Sequence, residues 1–201
     1  MPLQNRVLAT GEIVADPARG MFMGNRGNLH DDAQRLGRAR WKHKAWVTCV
    51  LKHRDWHRKI MSPGAYTELF FLDEAVALAA GHRPCALCRH SDYVAYRTAA
   101  GLDGPSKQMD AQMQRERGEA RTFRQKRHKN PANTLPNGTI ILDGTAKLIW
   151  DDVARHVGAG GYGAAEPRPE GMVTVLTPPT SLKALSNGYR PKLHGSAKIE
   201  V

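Results

Sequence analysis

At 201 residues the chain is long enough to bury a sizeable core, as one large domain or two small ones. Thirty Lys and Arg against 19 Asp and Glu leave a net charge of +11, an excess that favours a polyanionic partner. No apolar run approaches the ~20 residues of a membrane span and the N-terminus lacks the character of a signal peptide, so no membrane partner is expected and the expected location is the cytoplasm.

In chain order, residues 6–15 read as two short strands broken at Gly11, and residues 16–20 as a turn. Residues 20–32 follow as a loop with three glycines, Gly20, Gly24 and Gly27. Close backbone approach to a ligand or metal would need such small residues, and so would a tight surface turn. Asn25, Arg26, His30, Asp31 and Asp32 crowd the same positions and supply an acid or base beside a phosphate clamp. Residues 32–44 are strongly basic, with Arg38, Arg40 and Lys42 interleaved with Trp41 and followed by Trp46. Basic side chains meet phosphates while an aromatic face stacks on a base, so this is a candidate nucleic-acid surface, with at least one of the two tryptophans expected in the core. Residues 46–51 read as a strand, Arg54-Asp55 as a hairpin turn and residues 56–61 as the returning strand.

The most informative stretch is residues 66–89. Residues 67–72 are β-prone, Asp73 is an N-cap with Glu74 in the first turn, residues 74–80 are helical and Gly81 is a natural residue to follow the helix. Pro84 is expected to open a second helix, to about residue 100, carrying both Cys85 and Cys88. This C-x-x-C spacing lets two sulfurs grip one ion, and a helix N-terminus favours the thiolate. With three cysteines and no secretion signal, metal ligation or free thiols are expected rather than disulfides.

The string Phe70-Phe71, acidic cap, Ala-rich helix, Gly81-His-Arg-Pro-Cys85-Ala-Leu-Cys88-Arg89 resembles the Ada-type zinc domain, the methylphosphotriester-binding domain of a bacterial DNA-repair protein, and related zinc modules appended to nucleases. The resemblance implies that Cys85 and Cys88 form the second pair of zinc ligands, and that nearby basic residues such as Arg83 and Arg89 contact a DNA backbone. Upstream, where that family places a Cys-x-x-x-Cys pair, this chain has only Cys49. Cys49 alternates with Val47 and Leu51 on one strand face and is the expected third ligand, inward-facing and therefore structural rather than methyl-accepting. For the fourth, His30, His57 and His53 are open, His30 ranked first. His53 lies four residues, or ~13 Å of strand, beyond Cys49. Pro84-Cys85-Ala-Leu-Cys88 also looks like half of a zinc-dependent deaminase site, but the His-x-Glu or Cys-x-Glu half is missing.

Beyond Gly101, residues 106–129 are polar and basic, with Arg124, Lys126 and Arg127 as candidate phosphate contacts; a surface helix and an arm that orders on nucleic acid are both compatible. From residue 134 the sequence turns β-rich and closes with a strand and helix. Residues 174–191 align without gaps on residues 67–84 at an offset of 107, with Thr67, Leu69, Ala77, Leu78, Gly81, Arg83 and Pro84 matched by identical residues. A degenerate internal duplication, with Lys192 and Gly195 where the first copy has Cys85 and Cys88, is one reading; coincidence between two capped helices is the other.

The expected architecture is α+β: small mixed sheets and short helices around a structural zinc. It divides into an Ada-like α/β module over residues 1–101, a basic connector over 102–133 and a β-rich module over 134–201. The expected function is zinc-dependent binding of nucleic acid, DNA before RNA, in repair or processing. A hydrolase or glycosylase using His30, Asp31 and Glu68 is the alternative; a deaminase and a non-catalytic interaction scaffold rank below it.

Overall fold

The computed structural model describes residues 1–55 and 59–199. Its first sheet begins with the two expected short strands, β1 (Gln4–Val7) and β2 (Ile13–Ala15), which pair as a hairpin turning through Gly11 at a φ of +84°. Residues 20–32 are not all loop, because β3 (Phe22–Asn25) lies within them. A Cβ on Gly20 would overlap the Phe71 carbonyl oxygen, and one on Gly24 would overlap that of Val47. The close approach these two glycines permit is to neighbouring backbone, not to a ligand.

Then come β4 (Val47–Cys49), β5 (Leu69–Phe71), the helix α1 (Glu74–Ala79) and a two-residue strand β6 (Arg83–Pro84). The sheet order is β2-β1-β5-β3-β4-β6, mixed because β1 with β5 and β4 with β6 run parallel. The expected returning strand fails at residues 59–61, which are not in a strand; residues 56–58 lie outside the described ones. Pro84 does not open a helix either. It pairs with Thr48 in the sheet, and α2 (His90–Ala100) starts only after both cysteines. Residues 102–133, expected as a connector, carry α3 (Ser106–Arg117) and β7 (His128–Pro131).

The second sheet is antiparallel throughout: β7, then β8 (Ile140–Asp143), β9 (Thr145–Trp150), β10 (Val153–Val157), β11 (Tyr162–Pro167) and β12 (Met172–Val175), in the order β11-β10-β9-β8-β12-β7. A last helix, α4 (Pro179–Ser186), has proline in its first turn, where no backbone donor is missed. The fold is thus α+β, and no described helix is long and apolar enough to cross a membrane.

Strand alternation sends Ile140 and its register partner Leu148 to one face of the second sheet, and Ile141 and Ile149 to the other. The first pair joins Val7, Phe22, Leu69, Phe71, Leu72 and Ala75 in one core, so both sheets close on the same apolar interior. The second pair packs with Ala132 and Leu135. A third cluster places Leu78 among Tyr93 and Tyr96 of α2, Met109 and Met113 of α3, and Leu185 and Tyr189 at the end of α4.

The internal echo is confined to how the two helices end. Gly81 and Gly188 have φ of +84° and +90°; His82 N–H reaches the Ala77 carbonyl at 2.9 Å and Tyr189 N–H that of Ala184 at 3.0 Å. Both are Schellman caps at the same offset. The strands before them differ: β5 lies between β1 and β3, whereas β12 lies between β8 and β7.

Because the sheets share one core, Leu148→Ala is expected to cost about 2–5 kcal/mol. Urea unfolding followed separately at Trp46 and at Trp150, in single-tryptophan variants, should shift by the same amount at both reporters.

Candidate metal centre and nucleic-acid interface

The site is built outward from α1, a short helix buried on every side, including its acidic first residue Glu74. A buried carboxylate needs partners, and this one has three: the Arg89 guanidinium at 2.6 Å, the Tyr189 hydroxyl at 2.6 Å and the Lys192 N–H at 3.0 Å. Asp73 caps the helix as expected, accepting from Val76 N–H at 3.0 Å. Its second oxygen accepts from the Tyr162 hydroxyl at 2.6 Å and His194 N–H at 3.1 Å. Burial pushes the Asp73 carboxyl above its ordinary range against the pull of these donors, and pushes the Tyr162 phenol up as well.

Arg89, immediately after Cys88, is the link from this acid pair to the cysteines. Besides Glu74 it binds Asp92 at 2.7 Å and Thr48 Oγ1 at 3.0 Å, and its guanidinium stacks 4.3 Å from the Phe22 ring centroid. Arg83, just before Pro84, binds Asp110 through two nitrogens at 2.7 and 2.8 Å and so ties β6 to α3. Both arginines are about 5% exposed or less, which corrects their expected role: they are internal struts and do not reach a nucleic-acid backbone.

Between these struts, Cys85 N–H donates to the Thr48 carbonyl at 2.9 Å, continuing the parallel pairing of β4 and β6. That pairing brings the Cys85 turn beside Cys49 at the end of β4. The sulfurs of Cys49, Cys85 and Cys88 lie within 4.8 Å of one another, all half-buried and none in a disulfide. A tetrahedral zinc with Zn–S bonds of ~2.3 Å holds its sulfurs ~3.8 Å apart, so small rotations would admit the ion. Leu87 N–H points at Cys85 Sγ at 3.4 Å, and the Cys88 and Val50 amides also bear on the cluster. Hydrogen bonds from the Cys49 and Cys88 side chains, then from the Cys88 and Leu87 amides, pull the Cys85 thiol far down, while bonds to Cys85 and Cys88, and burial, push Cys49 up. The turn's amides add a smaller pull of the kind expected of a helix N-terminus.

His30 does not join the sulfurs. Its ring is 9% exposed and held between Thr67 Oγ1 at 2.6 Å and the Ser62 carbonyl at 3.2 Å. His53 is outside the group too, and no carboxylate belongs to it among the described residues; His57 lies outside them. The expected catalytic residues do not all line one cavity. Asp31 accepts from the Ala33 and Arg35 amides and pairs with the Arg35 side chain, closing its own loop; these bonds, the Arg35 amide first, hold its carboxyl low. Glu68 is buried and accepts from Met61 N–H at 2.8 Å. His30 and Asp31 do line a cavity of about 290 Å³ with Arg35, Arg38 and Lys42, but Glu68 does not.

Arg26 is also internal, at 2% exposure. It and Arg117 each lie 4.2 Å from the Trp46 ring, Arg26 donating to His82 at 3.2 Å and Arg117 to the Gly81 and Lys44 carbonyls. Burial, reinforced for Arg26 by the Arg117 charge, brings both guanidiniums down to about 9. Of Trp41 and Trp46, Trp46 is the buried one; Trp41 packs on it at 5.2 Å and meets Phe123 edge-on at 4.9 Å. This aromatic chain joins two basic segments far apart in sequence. Arg38, Lys42 and Lys44 from one, and Arg121, Arg124 and Arg127 from the other, are exposed and have no ion-pair partner among the described residues. Arg40 and Lys126 are half-buried and bond to carbonyls of Gly37 and Arg115. The sequence offered each segment but not their junction, for which Trp41 and Phe123 were the signal.

Comparison of the chain with family models, with curated proteins and with solved structures returned no match.

Arg89→Met should destabilise the protein by about 3–5 kcal/mol, because it takes the countercharge from the buried Glu74 carboxylate, and Glu74→Gln should cost less, because Arg89 keeps Asp92. The double variant should cost less than their sum by roughly 0.5–3 kcal/mol in a urea-unfolding cycle.

Proposed function

We propose that this chain is a zinc-containing protein that binds nucleic acid, DNA in preference to RNA, and acts in DNA repair or processing in the cytoplasm. The observation that carries the reading is the junction made by Trp41 and Phe123, which sets two unpaired basic segments against each other. Basic side chains without ion-pair partners are free to neutralise phosphates. The zinc half of the reading is supported by the three convergent sulfurs and by amides directed at Cys85. The resemblance of residues 66–89 to Ada-type zinc modules supplies the repair context. Zinc here is structural: it would fasten β4 to the turn before α2, and Cys49 is its ligand rather than an acceptor of a transferred group. The absence of Glu68 from the cavity that His30 and Asp31 line favours binding over hydrolysis or base excision.

Purified protein should carry about one zinc per chain by elemental analysis. Cys49→Ser, Cys85→Ser and Cys88→Ser should each lose it, and His30→Ala should keep it; a metal-free, reduced wild type would exclude the zinc reading. Fluorescence anisotropy with labelled duplex and single-stranded DNA at several salt concentrations tests the other half. Lys42→Glu and Arg124→Glu should each weaken binding and lower the salt slope by about 1. Affinity unchanged in both would exclude this surface.

A further inference from the structure

A second cavity, of about 510 Å³, shares no lining residue with the basic one. It lies beside β1, under the turn at residues 16–20, and its size falls within the ~300–1,000 Å³ of small-molecule sites. Leu3, Leu51, Ile60 and Phe70 give it apolar walls, and Arg6 and Arg19 give it positive charge. Leu51 and Ile60 are 54% and 38% exposed, among the few large apolar side chains the protein leaves in water.

Arg6 is the unusual member. It is only 6% exposed, stacked 5.7 Å from the Phe70 ring, and bonded through one terminal nitrogen to the Ala18 carbonyl. Its Nε and other terminal nitrogen are buried without a hydrogen-bond partner. Asp16, whose charge attracts it, forms no ion pair with it and spends one oxygen on Ala18 N–H at 2.8 Å. A guanidinium with two unmet buried donors is costly unless something supplies an acceptor. Arg83 and Arg89 show how this chain satisfies such groups elsewhere, with carboxylates in direct contact.

We infer that this cavity binds a small organic acid with an apolar body, its carboxylate held by Arg6 and its hydrocarbon part covered by Phe70, Leu51 and Ile60. Two guanidiniums, Arg6 and Arg19, offset by Asp16 leave about one net positive charge, which matches a single negative charge better than a phosphate dianion. The site goes beyond the nucleic-acid reading and stands or falls without it. Isothermal titration calorimetry of the full chain with 1-naphthoate and with neutral 1-naphthalenemethanol is the test. One saturable naphthoate site is expected, with the alcohol at least about tenfold weaker and Arg6→Gln weakening naphthoate by about the same factor, the loss expected when a charged hydrogen-bond partner is removed. Circular dichroism melts establish whether Arg6→Gln folds. If it does not, the exposed position Leu51 serves: Leu51→Asp should weaken naphthoate roughly threefold and Leu51→Lys should not, since they differ in the sign of one charge at the rim. No saturable heat with wild type, equal affinity for acid and alcohol, folded Arg6→Gln matching wild type, or Leu51→Asp and Leu51→Lys behaving alike would each overturn the site and leave Arg6 a structural residue.

Discussion

The structure depends on two adjacent carboxylates buried at the start of one short helix. Asp73 and Glu74 sit where the partial positive charge of the helix end favours them, but that alone could not hold a pair of acids out of water. Tyr162, Tyr189, Lys192 and His194 come to them from the far end of the chain, and Arg89 comes from the cysteine turn. Since a buried acid left without donors is strongly unfavourable, the two sheets and the cysteine turn are fastened to the same point.

This fastening gives the cysteine cluster its form. The parallel pairing of β4 with β6 places Cys49 beside Cys85, and the two arginines flanking the C-x-x-C turn fix it from either side. In sequence those arginines look like hands offered to a phosphate backbone. In the fold they are struts, and exposed positive charge without ion-pair partners lies on segments around Trp41 and Phe123. Trp46, held between Arg26 and Arg117, anchors that surface from inside.

Arg6 stands apart from the other internal arginines. Arg83 and Arg89 meet carboxylates, and Arg26 and Arg117 are stacked on an indole and bonded to carbonyls. Arg6 alone among these five retains two buried nitrogens with no acceptor, at the wall of an apolar cavity. Contrast within one molecule, rather than burial by itself, marks it as a binding group.

By itself the sequence determined what neighbouring residues decide among themselves. The strand before Asp73, the cap, the helix, the glycine that ends it and the spacing of Cys85 and Cys88 all rest on propensities and hydrogen bonds spanning a few residues. The matching helix exit at Gly188 was legible for the same reason. Only the tertiary structure decided which charges are buried, because Arg26, Arg83 and Arg89 differ from Arg38 and Arg124 in the partners that distant segments bring to them. It also replaced His30 as a ligand candidate with a histidine that braces Thr67 and Ser62, turned a glycine loop into a strand, and joined two basic segments across Trp41 and Phe123. Such contacts span tens of residues in the chain, and no local pattern encodes which pairs will meet.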